Sequence, residues 1–497
     1  MFRVRYATIL STAATFVSAF LLAGEASAAK TPPRPNVVFI LADDLGWSDL
    51  GCYGGEIETP NVDRLAAGGL RFTQFYNTAR CWPSRAALLT GYYAQQVNRD
   101  PSGNRPPWAA LTPQLLEPAG YRSYHSGKWH VDGPVLAGGF LRSFNTTDQN
   151  RFFSPRTLEV DDQKIEVPSP GDNYYATTAI ADHAIEWLAD HDKAHAAEPF
   201  FLYLAFISPH FPLQAPAEDI ARYRDRYVDG WDKARAARWK RIEKLGLVSG
   251  SLSEPEPDVV PSWNLSADEL REQVGAGEEA YAVPWNTLSD EQKHFQSQKM
   301  AVHAAMVDRM DREIGRVLRQ LDKMDVSDNT LVFFASDNGA SAEQIIRGDG
   351  HDPTAPIGSA KTFLGLGPGW STMSNTPMRR HKSWNHEGGI ATPLVVCWPK
   401  GIAGRGELRH APGHFVDIMP TLIELAGVEP PSSFNGAERP KWPGTSLVPC
   451  FASDVRPPHE PFFFKHQHNR GLRAGDLKIV AAGDDSPWEL YDLARDR

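Results

Sequence analysis

Asn36-Val37-Val38-Phe39-Ile40-Leu41 is a continuous run of apolar, largely β-branched and aromatic residues, and it ends abruptly in Ala42-Asp43-Asp44. A run of that length and composition reads as a strand buried on both faces of a largely parallel sheet. Two adjacent carboxylates directly after a buried strand are costly unless they are paired or bound to a cation. A lone Asp-Asp is more often a solvated loop, so the pair needs support from elsewhere. That support comes from repetition. Phe200-Phe201-Leu202-Tyr203-Leu204-Ala205-Phe206-Ile207 ends in Ser208-Pro209-His210, and Thr330-Leu331-Val332-Phe333-Phe334-Ala335 ends in Ser336-Asp337-Asn338-Gly339. Open α/β sheets hold their sites just beyond the carboxyl ends of the strands, and here three strands deliver polar residues at their exits.

Helices alternate with these strands. Residues Tyr174 to His191 carry Ile180, Ala184, Trp187 and Leu188 at helical spacing. Lys299 to Met324 place Val302, Met306, Met310, Ile314, Val317 and Leu321 on one stripe with charges opposite. The methionines read as core packing, and Asp308 and Asp311 as helix-face salt links. Leu394 to Trp398 is a further strand and Asp417 to Ala426 a further helix. Residues 216–295 break the alternation with a basic helical piece (Arg222 to Lys244), a Pro/Glu/Ser-rich stretch and a polar helix near Asp268. Such an insertion is expected to shape access to a site. After Pro430-Pro431-Ser432-Ser433 the chain turns to short strands: Pro461 to Lys465, Gly471 to Arg473, Leu477 to Val480 and Trp488 to Tyr491. The expected fold is α/β, a large mostly parallel sheet sandwiched by helices (29–430), plus a small antiparallel C-terminal domain (431–497).

The chain has 497 residues and a net charge of −10, spread along its length, which argues against a nucleic-acid partner. Any site for an anionic substrate must therefore be locally basic. Arg3 and Arg5, the small apolar stretch Ala7 to Ala23, and Ala26-Ser27-Ala28 have the form of a cleavable secretory signal over 1–28. No other stretch has spanning length, so a periplasmic or secreted protein with no membrane span after cleavage is expected. The four cysteines are too few for a disulfide framework, although Cys397 could pair with Cys450.

The most distinctive sentence is Cys81-Trp82-Pro83-Ser84-Arg85-Ala86-Ala87-Leu88-Leu89-Thr90-Gly91. Pro83 fixes the backbone, and a helix opens around Ser84 and Arg85, where amide groups and the helix dipole favour an anion. Taken alone, Cys-x-Pro fits a buried cysteine ahead of a helix equally well. The whole motif resembles the signature of the sulfatase family, within the alkaline-phosphatase-like superfamily. The resemblance implies that a maturation enzyme converts Cys81 to Cα-formylglycine, whose hydrated aldehyde is the nucleophile.

Asp43, Asp44, Asp337 and Asn338 are all oxygen donors, the set a hard divalent cation takes and zinc does not favour. The same positions match the metal site of the sulfatase family, which also places the formylglycine from Cys81 on the ion. The resemblance implies Ca2+, with Mg2+ the alternative. Gly120-Tyr121-Arg122-Ser123-Tyr124-His125-Ser126-Gly127-Lys128-Trp129-His130 resembles the family's second signature. Lys128 and His130, two apart in an extended segment, are expected on one face. The family continues His-Leu-Gly where this chain has His130-Val131-Asp132-Gly133, a departure that touches loop shape.

By the same resemblance, Lys128 contacts sulfate oxygens and His130 a formylglycine hydroxyl. His210 lies near the leaving-group oxygen, Lys382 stands five residues before Glu387-Gly388-Gly389, and Arg85 anchors the formylglycine. Asp337 is the implied base. His125, His381 and His386 match no family role and read as structural. The likeness runs from Asn36 to Leu490 and is nearest to bacterial arylsulfatases, through Tyr227-Val228-Asp229-Gly230-Trp231-Asp232, Asn375-Thr376-Pro377 and Lys382-Ser383-Trp384. Relatives continue beyond Trp488-Glu489-Leu490-Tyr491-Asp492-Leu493, whereas this chain stops at Arg497.

The implied activity is hydrolysis of a sulfate monoester, an aryl sulfate or a sulfated carbohydrate. Attack at sulfur is followed by collapse of the second geminal hydroxyl to the aldehyde, which expels sulfate. A formylglycine-dependent phosphonate or phosphate-ester hydrolase of the same superfamily is the nearest alternative, because both esters present a tetrahedral anion. A sulfated-glycan binder without turnover is the alternative of a different class.

Overall fold

Along the first strand Val38, Ile40 and Ala42 point into one hydrophobic core while Val37, Phe39 and Leu41 point into another. That is why the run carries no polar alternation: both faces of the sheet are covered. The computed structural model describes residues 34–169, 172–455, 459, 461–495 and 497, so the signal expected at 1–28 lies outside the described residues.

The principal strands are β1 (Asn36–Ala42), β2 (Leu70–Tyr76), β3 (Arg122–Gly127), β4 (Arg142–Asn145), β5 (Phe200–Ala205), β6 (Thr330–Ser336) and β7 (Ala391–Cys397). They pair in the order β2-β7-β6-β1-β5-β3-β4 within one sheet of eleven strands, the remaining four being short edge pieces. The centre is parallel, whereas β7 runs antiparallel to both of its neighbours. A four-stranded antiparallel sheet follows: β8 (Phe462–His466), β9 (Asn469–Ala474), β10 (Leu477–Ala482) and β11 (Glu489–Asp492). All of it belongs to one compact unit spanning residues 34–497.

The helices that matter here are α1 (Pro60–Ala67), α2 (Cys81–Thr90), α3 (Ala176–His195), α4 (Gly230–Lys244), α5 (Asp290–Lys323) and α6 (Ile418–Ala426). One sheet face is covered by α3 and α5 through Ile180, Trp187, Met306, Met310 and Ile314, the other by α2 and α6 through Leu88, Leu89, Met419 and Leu422. The helix expected from Lys299 starts nine residues earlier. Ser289 caps it, its hydroxyl accepting from the Gln292 amide while the Gln292 side chain accepts from the Ser289 amide. The basic piece expected from Arg222 becomes regular only at Gly230.

Asp308 makes the expected helix-face link, to Arg312, and also pairs with Arg222. Asp311 does something else. It accepts from the backbone amides of Asn61 (3.0 Å) and Val62 (2.8 Å) and from the Asn61 side chain (2.8 Å), so it caps the start of α1 from across the core. Its helical spacing suggested an ion pair, but its neighbours are amides. Cys397 is a free buried thiol, so the Cys397–Cys450 bridge is not formed. Among the described residues no helix is long and apolar enough to cross a membrane.

Candidate active site

The register of the parallel strands builds the site. Ala42 pairs with Ser336 across β1 and β6, and Leu41 and Gly127 are both level with Ala205. Asp43, Asp337 and Lys128 therefore leave the sheet side by side, although they are far apart in sequence. Gly127 is required here: at φ +120° a Cβ would sit 1.8 Å from the Ala205 carbonyl oxygen. Cys81 and Arg85 approach from the first two turns of α2.

Arg85 is fully buried, and its bonds run to the carboxylates. Nε and Nη2 meet Asp337 Oδ2 at 3.0 and 2.8 Å, Nη2 meets Asp43 Oδ2 at 3.3 Å, and Nη1 donates to the Lys128 carbonyl at 2.8 Å. Lys128 Nζ lies 2.5 Å from Asp43 Oδ2. Lys382 Nζ bridges Asp44 at 2.8 Å and Glu343 at 3.1 Å. His210 donates from Nδ1 to the Phe211 carbonyl (2.5 Å), which leaves Nε2 facing Asp44 Oδ2 at 3.6 Å.

His130 corrects an expectation. Its φ is +52°, so the segment after Lys128 is bent rather than extended. Its ring packs 5.8 Å from that of Trp82, and Nδ1 is buried without a hydrogen-bond partner. Single ligand atoms of Asp43, Cys81 and Asp337 lie within 4.8 Å of one another, as do those of Asp43, Asp44 and His210.

These residues fit a hard cation. Asp43 Oδ1 and Asn338 Oδ1 are buried without any hydrogen-bond partner, an expensive state for two oxygens among three carboxylates. A divalent ion would satisfy both.

The electrostatics agree. Burial pushes Asp43 up, but Lys128, His210 and Arg85 outweigh it and hold Asp43 well below the carboxylate range. Burial, joined by the neighbouring charge of Asp43, pushes Asp337 up to about 7. Asp43 and Asp337 share the Arg85 guanidinium, and a divalent ion beside them would further favour the ionised form of both. Burial lowers His210 to about 4, against the charge of Asp44, and holds His130 well below its ordinary value, helped by Lys128. Burial raises the Cys81 thiol despite Lys128 and Lys382, so it is not a poised thiolate.

Cys81, His130, His210 and Lys382 open into a cavity of about 270 Å³, whose wall includes Arg80, Trp82, Thr147, Gln149, Asn150, Phe211, Glu343 and Arg347. Sequence reasoning gave none of this second group a role in the site. Glu343 is the most telling omission. It accepts from Arg80 (3.1 Å), Lys382 (3.1 Å) and the Trp263 indole (2.8 Å), and Arg80 lies over both the Trp82 and Trp263 rings. Trp263 comes from the 216–295 insertion, whose α4 is fastened by Arg238 to Asp49 and Glu56. Only a lone acid following the Asp337 loop marked Glu343 in the sequence. His125, His381 and His386 bond to Ser143, Ser371 and Glu489.

A family model described as Sulfatase matches residues 35–428. The chain is 32% identical to an uncharacterized sulfatase of Schizosaccharomyces pombe (strain 972 / ATCC 24843), over 93% of this chain and 89% of that one. It is 31% identical to an arylsulfatase of Klebsiella aerogenes, over 86% and 94%. A structure solved in complex with its substrate D-glucosamine-2-N,6-O-disulfate superposes with a TM-score of 0.63 at 24% identity, covering 93% of this chain and 91% of that one. At that identity the likeness speaks for the fold. With strand exits, cation-ready oxygens and matched sequence in agreement, the chain belongs to the sulfatase family and is a hydrolase of sulfate esters.

Proposed function

We propose that the enzyme is of arylsulfatase type, with residue 81 as the reacting position and Ca2+ held by Asp43, Asp44, Asp337 and Asn338. The arrangement of Cys81 beside Asp43 and Asp337 carries this reading, because it sets the future nucleophile against the acidic cluster. The name of the Klebsiella aerogenes relative supports it. When present, the cation supplies Lewis acidity, and formylglycine made from Cys81 supplies an oxygen nucleophile that a thiol does not replace.

This chain's own residues do the rest. Lys128 and Lys382 bring positive charge to the sulfate oxygens in a buried setting where such charge acts strongly. Asp337, beside residue 81, accepts the proton from the nucleophile. Arg85 holds Asp337 and Asp43 in place. His130 donates to the group at residue 81. His210, as imidazolium, is the proton donor to the departing oxygen: Nδ1–H is committed to the Phe211 carbonyl, so the transferable proton is the one taken up at Nε2. The negative charge of a bound ester raises its low proton affinity. A leader over residues 1–28 would direct the enzyme to the periplasm or the medium and then be removed, after a formylglycine-generating enzyme has acted on Cys81.

Peptide mass spectrometry across residue 81, on protein made with a maturation enzyme, tests the nucleophile; conversion appears as a loss of about 18 Da. The converted protein is expected to hydrolyse 4-nitrophenyl sulfate far faster than 4-nitrophenyl phosphate. An intact Cys81, or the reverse preference, overturns the proposal.

A further inference from the structure

At the cavity wall and in the layer beneath it each cation has its carboxylate: Lys382 on Asp44 and Arg80 on Glu343 at the wall, Lys128 on Asp43 and Arg85 on Asp337 beneath. Arg347, at the exposed mouth, differs. Among the described residues its guanidinium has no carboxylate partner, and it lies over the Phe211 ring, 6.0 Å from the ring centre. Nearby Asp349 does not supply the charge, since it is bound to Arg151 and Arg156. Phe211 in turn stacks on His210 at 4.2 Å, so one aromatic ring separates Arg347 from the residue placed at the leaving group. Gln149 and Asn150 line the same mouth, and their side-chain amides have no hydrogen-bond partner among the described residues.

An unpaired cation one ring away from the reacting centre, beside two uncommitted amides, suits a polyhydroxylated ring bearing a second negative group. A monoanionic aryl sulfate uses none of the three. On the footing of the sulfate-ester reading, we propose that Arg347 binds a second acidic substituent of the substrate. The favoured substrates are then sulfated carbohydrates that carry a further sulfate or carboxylate, with Gln149 and Asn150 bonding ring hydroxyls.

The test uses matured full-length enzyme and its Arg347→Ala variant. The probes are N-acetylglucosamine 6-sulfate, glucosamine 2-N,6-O-disulfate and a 6-sulfated disaccharide containing a uronate. The wild type is expected to favour one or both dianionic probes over the monoanionic one in kcat/KM. Arg347→Ala is expected to cut that preference about tenfold, mainly through KM, as for a charge-assisted contact at a partly exposed site. Added salt should erode the wild-type preference, because exposed charges are screened. The disulfate and uronate arms separate sulfate from carboxylate as the second group. No preference in the wild type, or a preference unchanged in Arg347→Ala, overturns the inference while leaving sulfatase activity standing. If matured wild type hydrolyses no sulfate ester, the underlying reading fails instead.

Discussion

Glu343→Gln separates two contributions that Glu343 makes at once. The carboxylate lies 3.1 Å from Lys382 Nζ, and at an effective dielectric near 20 a unit charge pair at that distance interacts by about 5 kcal/mol. Glutamine keeps an acceptor oxygen but loses the charge, so about half of that remains, and about 2–3 kcal/mol of restraint on Lys382 disappears. Asp44, at 2.8 Å, then becomes the single anionic partner of Lys382 among the described residues, and Arg80 loses its carboxylate. Substrate, however, meets a pocket one unit more positive. The expected result is a split: kcat falls by about 10- to 50-fold as Lys382 is misplaced, while KM stays level or drops. Steady-state hydrolysis of 4-nitrophenyl sulfate reads both constants, and a thermal melt checks that the variant is folded. Burial raises the Glu343 carboxyl, but Lys382 and Arg80 outweigh this and hold it well below its ordinary value, so the split should not depend on pH in the neutral range. A raised KM with unchanged kcat would refute the argument, because it would mean that Glu343 serves only to bind substrate.

Chelation is expected to abolish turnover and lower the melting temperature, and Ca2+ should restore both better than Mg2+, because Asp43 Oδ1 and Asn338 Oδ1 lose their only prospective partner. Equal activity in excess chelator would count against a cation at these four residues. Asp311 gives a stability prediction remote from the site. Burial raises its carboxyl to about 6, above the unfolded value, so the native state binds the extra proton. Its contribution is full below the unfolded pKa and fades as pH rises through about 6, a loss of about 3 kcal/mol. Denaturant titrations from pH 4 to 7 should show that slope in the wild type and not in Asp311→Asn; parallel curves would contradict it. Cys81→Ser should retain the fold and the melting temperature while losing at least ~1,000-fold in rate, and a serine variant of near-normal rate would remove residue 81 from the chemistry.

Much of the site was legible because its parts lie where the chain changes character. A buried parallel strand must be apolar throughout, so the first polar residue after it stands out; Asp43, Asp44, Asp337 and Asn338 were visible for that reason, and His210 nearly so. Lys128 and Lys382 needed the family resemblance, since a lysine in a glycine-rich loop has no local signature. Helix starts were harder: α5 begins at a Ser289 capping box in a polar stretch where the hydrophobic stripe has not yet begun.

Local sequence by itself determined the strands, the two-faced core, the polar strand exits and the Cys81 turn, because each rests on periodicity or on residues adjacent in the chain. Tertiary structure alone decided the rest. Glu343 meets Arg80 across 263 positions of sequence, Asp311 caps a helix 250 positions away, and Trp263 reaches the site from an insertion whose own sequence carries no chemistry. The bend at His130 and the antiparallel run of β7 are likewise set by packing. An ion pair, a cap or a pocket wall is a property of distance between side chains, and a sequence lists its residues without their distances.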